Sequence, residues 1–286
     1  MPFLRQGESC MKKYIKKNWS SILLILIFTV GLSLLLYPTV ADWVNSLHAS
    51  YAIDGYTQQI AALSDEEYER LMEEAKEYNA DLLSDRNRFN PSDERHRRYS
   101  DTLDMDVNGV MGIVKIPSIR VNLPIYHGTE ESVLQTAIGH IEGSSLPIGG
   151  ESTHAIISGH RGLPSAKLFT DLDKLEEGDY FMITVLDDTY TYEVDQIKIV
   201  DPDDFTYLQI EPGQDLVTLV TCTPYGVNTH RLLVRGHRVD NLPDDFINTR
   251  NEAMLIDSKL VALFIAVPVL LGLFIWVMVK GRKKKV

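Results

Sequence analysis

Thr218-Leu219-Val220-Thr221-Cys222, followed after Pro224-Tyr225-Gly226 by Arg231-Leu232-Leu233-Val234, is the stretch that sets the fold class. Both runs are short and largely apolar, the first rich in β-branched residues, with turn residues between them, so they read as neighbouring strands. The first ends in a thiol, and the second begins with a fixed cation. A thiol beside a guanidinium describes a nucleophile with its charge stabiliser.

Working outward, the same signal recurs. Val110 to Ile116, Val121 to Tyr126, Ala155 to Ser158, Tyr180 to Val185, Tyr190 to Val200, Val217 to Thr221 and Leu232 to Val239 all read as strands. Many short strands with few helices imply a β-barrel or sandwich. Short helical pieces are expected at Ser132 to Ile138 and around Ala166 to Lys174. Upstream, Ser64-Asp65-Glu66-Glu67 has capping-box spacing, and Tyr68, Leu71, Met72, Ala75, Tyr78 and Leu82 recur at helical intervals. They predict one amphipathic helix. Ser84 to Asp106 carries almost no apolar periodicity and is expected to be a long exposed loop, of the length that in compact domains serves as a lid or a linker.

Two apolar runs flank this segment. Ser20 to Tyr37 carries no charge and follows Lys12, Lys13, Lys16 and Lys17; Leu260 to Val279 precedes Lys280, Arg282, Lys283, Lys284 and Lys285. Each approaches the roughly 20 residues that cross a bilayer. The first has no small-residue cleavage site after it and reads as an uncleaved anchor. Basic flanks keep both ends cytoplasmic and put the chain from about Val40 to Ser258 outside. The expected division is a basic tail at 1–19, a span at 20–37, a helix and lid-like region at 38–106, a barrel at 107–240, a linker at 241–259, a span at 260–279 and a basic tail at 280–286.

The formal charge is −12, but the tails hold ten of the 28 Lys and Arg and one of the 40 Asp and Glu. The segment between them carries 18 basic residues against 39 acidic ones, a formal −21. Such a surface repels nucleic acid and polyanions. Cys10 is the other cysteine, and the topology puts it across the membrane from Cys222. Cys222 is therefore expected to be a free thiol, and low cysteine use outside the membrane points to a Gram-positive bacterium.

A cysteine nucleophile needs a base and an oxyanion donor. Of the eight histidines, His48 and His96 fall in the stalk and the loop, His127, His140 and His154 near turns, and His230 and His237 around the arginine strand. His160 ends the run Ala155-Ile156-Ile157-Ser158 and enters Gly159-His160-Arg161-Gly162, so its ring can project over a cleft. Arg231, Arg235 and Arg238 compete as the cation, and alternation puts Arg231 and Arg235 on one face. Pattern leaves that choice open. For Arg235 and Arg238 a surface salt bridge is the simpler reading; for Cys222 alone it is a buried small hydrophobe.

These residues resemble the sortases, cysteine transpeptidases of Gram-positive surfaces. The likeness rests on Thr218-Leu219-Val220-Thr221-Cys222 with Arg231, and on His160 within His154 to Gly162. Leu123-Pro124-Ile125-Tyr126-His127-Gly128-Thr129 and Gly162-Leu163-Pro164-Ser165-Ala166-Lys167-Leu168-Phe169 resemble the class C, pilus-assembling branch, as do two membrane spans. The likeness covers about Ser64 to Asp240.

It implies an eight-stranded sortase barrel with Cys222 as nucleophile, His160 as general acid and base, and Arg231 as oxyanion or substrate stabiliser. The reaction it implies cleaves an LPXTG-like sorting signal between Thr and Gly and passes the acyl group to a pilin lysine, with no cofactor or metal. Its partners would be pilins and the membrane, not nucleic acid. A wall-anchoring sortase using a peptidoglycan-precursor amine, or a non-catalytic scaffold, are the alternatives. Class C enzymes usually carry an Asp-Pro-aromatic lid anchor; this chain has Asn90-Pro91-Ser92-Asp93.

Overall fold

The computed structural model describes residues 3–85, 87–105, 109–241, 266–270 and 272. Two compact units are distinguished, one holding the first 40 residues with the C-terminal segment and the other beginning at Ala41. Helix α1, Phe3–Ile60, contributes to both. Its section from Trp19 is long and apolar enough to cross a membrane, with a mean hydropathy of 2.4 in its best window. Pro38 sits inside the helix, a position that membrane helices tolerate. Of the second expected span, residues 266–270 and 272 are helical, and the remainder lies outside the described residues.

Helix α1 continues further than the sequence suggests. Helix is expected to resume only at Ser64, yet α1 runs unbroken to Ile60. The reason is a covert stripe in which Asn45, Ala49, Ala52, Ile53, Tyr56, Gln59 and Ile60 fall at helical spacing and are shielded from solvent. Small and polar residues fill half of it, so it does not read as amphipathic. Its polar members bond to the barrel instead: Tyr56 donates to the Met111 carbonyl at 3.1 Å and accepts from the Leu186 N–H at 2.7 Å, and Gln59 donates to the Met105 carbonyl at 2.9 Å.

Helix α2, Asp65–Leu82, starts at the expected capping box, with the Glu67 N–H donating to Ser64 Oγ and the Ser64 N–H to Glu67 Oε2. Its apolar face (Leu71, Met72, Ala75, Tyr78, Leu82) joins the barrel core. Asn79, on the same face, pins residue 146 by two bonds, to its carbonyl at 3.1 Å and from its N–H at 2.7 Å.

The expected exposed loop is not one. Asp93–Asp101 forms helix α3, N-capped by Ser92, and Arg88, Tyr99, Thr102 and Leu103 are buried. This helix is polar on most of its surface, so no periodic stripe announces it. Ion pairs Arg98–Asp81, Arg95–Asp85 and His96–Glu142 hold it from outside. Tyr99 anchors it inside, accepting from the Gly128 N–H at 2.9 Å and stacking on His140.

Eight strands close a barrel: β1 Val110–Ile116, β2 Val121–His127, β3 Ile138–His140, β4 Thr153–Gly159, β5 Tyr180–Val185, β6 Asp188–Val200, β7 Asp215–Thr223 and β8 His230–Val239. Their order is β1-β2-β3-β4-β7-β8-β6-β5, with β2–β3 and β4–β7 parallel and the other described pairs antiparallel. Strand β3 replaces the end of the helix expected at Ser132 to Ile138, which shrinks to α4, Glu131–Leu134. Gly139 explains the change: a Cβ there would collide with the Gly128 carbonyl, so β3 is a place of close backbone approach. The helix expected around Ala166 to Lys174 reduces to a 3-10 turn at Leu172–Lys174.

Strand β7 is buried on both faces from Leu216 to Thr221. Val217 and Leu219 point into the barrel core with Ile157, Phe181 and Val234. Val220 lies in a second, outer cluster with Ile156, Val200, Leu208 and Leu233. Two-sided burial explains the near-continuous apolar run that opened the sequence reading.

Candidate active site

Cys222 is the penultimate residue of β7 and is half-buried. It pairs with Arg231 across the antiparallel β7–β8 ladder. Directly opposite residues in such a ladder have Cβ atoms roughly 4.5–5.5 Å apart and share a face. On β7's other side runs parallel β4, in a register that matches Ser158 with Val220. Continued by two residues, that register sets His160 level with Cys222. Hydrogen bonds on either side hold this level: Thr221 Oγ donates to the Gly159 carbonyl at 2.7 Å, and Arg161 Nη1 donates to Thr223 Oγ at 3.2 Å. His160, Cys222 and Arg231 therefore stand side by side on three adjacent strand ends, β4, β7 and β8.

Alternation puts Cys222 on the same face as Val220, outside the barrel, together with Arg231 and Leu233. The apolar floor formed by Ile156, Val220 and Leu233 leads up to the thiol. An extended peptide lying along this face would meet the floor first and the sulfur at its end.

The structure also separates the arginines. Arg235 is bound to Asp195 through two bonds at 3.0 and 2.9 Å and to Glu211 at 2.8 Å, which commits its fork to carboxylates. This pairing is largely buried rather than a surface one. Arg238 lies over the Tyr190 ring at 4.9 Å and donates to Asn241 at 3.2 Å, so it stacks on rings where a salt bridge was expected. Arg231 bonds only to backbone carbonyls, those of Asn228 at 3.5 Å and His230 at 3.2 Å, and makes no ion pair among the described residues. Among the described residues its guanidinium is therefore not committed to a carboxylate.

Four other histidines, His96, His127, His140 and His154, are held by hydrogen bonds. His140 is fully buried, with Nε2 against the Ser145 carbonyl at 2.8 Å and Tyr99 at Nδ1, and burial pushes its pKa down to about 3. His154 lies between the Gln209 carbonyl and Thr218 Oγ, both at 2.7 Å, and burial lowers its pKa to about 4. His127 faces the Thr102 carbonyl at 2.8 Å and is lowered by burial. His230 is opposite Thr223, one residue from Cys222, and alternation turns it to the other face. His96 is held to Glu142 at 2.8 Å, which raises its pKa.

Two features at this site escaped the sequence reading. Phe89 packs on the outer apolar cluster and against Phe205 at 5.2 Å, beside the floor that leads to Cys222. Arg88 secures it by donating to the carbonyls of Gly143 at 3.1 Å and Leu208 at 2.6 Å. The lid-like region is thus anchored by Arg88-Phe89, immediately before the Asn90-Pro91 where the expected motif is missing. The second feature is Arg161, whose contacts cross between the strands of His160 and Cys222. An arginine directly after the candidate base, within Gly159-His160-Arg161-Gly162, was the available signal.

An eight-stranded barrel with a cysteine between a histidine and an arginine on adjoining strand ends defines a class of cysteine enzyme scaffold. The sortase domain model matches residues 114–239. Sortase C1 of Streptococcus agalactiae has 54% identity over 67% of this chain and 100% of that one, with a TM-score of 0.66. Sortase C-1 of Actinomyces oris has 44% identity over 60% of this chain and 98% of that one, with a TM-score of 0.57. Sortase D of Bacillus subtilis is 33% identical over 45% of this chain and 63% of its own length. The chain spans less than two thirds of the length of the curated relatives it matches first. The chain belongs to the sortase family, and the two solved structures named here are sortases of the C type.

Proposed function

We infer that this protein is a membrane-anchored class C sortase that joins pilin subunits through isopeptide bonds. The observation that carries the reading is the common level of His160, Cys222 and Arg231 on β4, β7 and β8. The chemistry follows from that geometry. The Cys222 thiolate attacks the carbonyl carbon of the Thr-Gly bond in an LPXTG-like signal, and the oxyanion is held by Arg231 donors. The C–N bond breaks, the leaving nitrogen takes its proton from the His160 imidazolium, and a thioester remains on Cys222. A neutral lysine amine of the next pilin then attacks the thioester and gives its proton to the His160 imidazole. The thiolate leaves, and an isopeptide bond has formed.

Membrane residence fits the apolar section of α1. In the proposed topology the second apolar run also spans, both basic tails are cytoplasmic and the barrel is outside, where pilins are presented. Phe89 and Arg88 make the lid-like region a gate over the peptide face, opened when the substrate displaces the ring from the outer apolar cluster.

The test mixes the protein with a pilin bearing an LPXTG-like signal and a second pilin with candidate acceptor lysines. Ladders that are linked through lysine and lost in Cys222→Ala support the reading. Transfer solely to wall-precursor amines would make it a wall-anchoring enzyme, and no Cys222-dependent product at all would make it a scaffold.

A further inference from the structure

Arg161 follows the candidate base directly, yet its side chain turns away from the peptide face. It reaches Thr223, which strand alternation turns to the face of β7 opposite that of Cys222. Only 8% of the side chain is exposed. Nη1 donates to Thr223 Oγ, on the residue after Cys222, and Nη2 is bound to Asp173 in the 3-10 turn. Its guanidinium also lies 5.9 Å from the centre of the Tyr225 ring. That ring rests against the next residue of the same loop, since a Cβ on Gly162 would come within 3.0 Å of it.

The ends of β4 and β7 are therefore laced together around the reacting pair. Below it, Thr221 holds Gly159; above it, Arg161 holds Thr223 and Gly162 receives Tyr225. The lacing matters because the ladder itself stops short: the parallel β4–β7 pairing extends to Ser158 and Val220. Past that point nothing periodic fixes the separation of His160 from Cys222. Asp173 offsets the guanidinium charge locally, so the contribution of Arg161 is geometric rather than an added positive field at the sulfur.

We propose that Arg161, held by Asp173, is a positioning residue that sets the distance between His160 and Cys222 by clamping the two strand ends. The proposal rests on the reading of His160 and Cys222 as the reacting pair. It requires both Nη groups, and therefore a planar fork that lysine does not reproduce.

The experiment uses the full-length chain in detergent micelles. One readout is the pH profile of Cys222 alkylation by iodoacetamide; the other is steady-state cleavage of an LPXTG-like peptide. Wild type and His160→Ala are compared first, because a difference between their profiles establishes the pair itself. If those profiles coincide, the underlying reading fails and the clamp with it.

Given a difference, Arg161→Ala is expected to shift the alkylation profile toward that of His160→Ala and to lower kcat at least tenfold, with KM unchanged within about twofold. Thr223→Val removes the acceptor while preserving shape, and Asp173→Asn loosens the other end. Both are expected to move kcat in the same direction, and Arg161→Lys to restore it only in part. If Arg161→Ala fails to fold, Thr223→Val decides. A wild-type alkylation profile and kcat in Arg161→Ala, or in Thr223→Val where that variant decides, would overturn the proposal. A rise in KM alone would overturn it too, making Arg161 a substrate contact.

Discussion

Cys222 and Arg231 face each other across the β7–β8 ladder, while Arg235, four residues further along β8 on the same face, is bound to Asp195 and Glu211. Position and availability therefore select the same arginine. Oxyanion donors contribute about 10²–10³-fold to rate. Arg231→Ala is expected to lower kcat for peptide cleavage by that order, with melting temperature almost unchanged because the side chain makes no ion pair among the described residues. Steady-state kinetics with a fluorogenic sorting peptide checks this. Arg235→Ala is expected to do the reverse, lowering stability more than kcat, since it leaves Asp195 half-buried without its partner.

Phe89→Ala tests the gate. The ring is half-buried on the outer apolar cluster, so its loss costs about 1 kcal/mol of stability, below the value for a fully buried aromatic side chain. Peptide cleavage is expected to speed up, chiefly through a lower KM, because the floor of Ile156, Val220 and Leu233 no longer has to be cleared. Initial rates against peptide concentration report this; an unchanged KM with an intact fold would remove Phe89 from the gate. Deleting the whole stretch from Arg88 to Arg98 would also cost folding stability, since Arg88 is buried and hydrogen-bonded to two carbonyls.

Stability should fall with acid through two buried histidines. His140 and His154 are held neutral in the folded protein, with pKa values of about 3 and about 4, whereas an unfolded histidine titrates near 6.5. Below about 6.5 the unfolded chain binds more protons, so folding stability declines as pH drops toward 4. The slope approaches roughly 1.4 kcal/mol per pH unit for each histidine. Melting curves between pH 7 and pH 4 measure it. His154→Gln is expected to be less stable at pH 7 and to show a flatter decline.

Strand content, the capping box at Ser64 and the strand-end contexts of Cys222 and His160 were legible because each depends on local pattern, whereas the role of Arg231 came only from the family resemblance. Strand β7 announced itself through two-sided burial, and Cys222 through its place at the end of that run. What stayed hidden depends on partners far along the chain. The continuation of α1 to Ile60 rests on Tyr56 and Gln59 bonding to the barrel, and α3 rests on one buried tyrosine under a polar surface. Alternation leaves Arg231 and Arg235 alike; what distinguishes them is the pairing of Arg235 with Asp195 and Glu211, which no β8 pattern contains. Strand β3 was hidden by its length, since Ile138–His140 is too short to display a period.

In the proposed reaction Cys222 carries the acyl group, with His160 as its proton partner. Peptide-mapping mass spectrometry of the protein after brief exposure to an LPXTG-like peptide, quenched in acid, tests it most directly. The expected result is a thioester on Cys222 that holds the peptide through its Thr carbonyl, accumulates without an acceptor amine, disappears when a lysine-bearing pilin is added, and forms far more slowly in His160→Ala. Peptide cleavage with Cys222 unmodified, or the same thioester formed at an equal rate in His160→Ala, would contradict it.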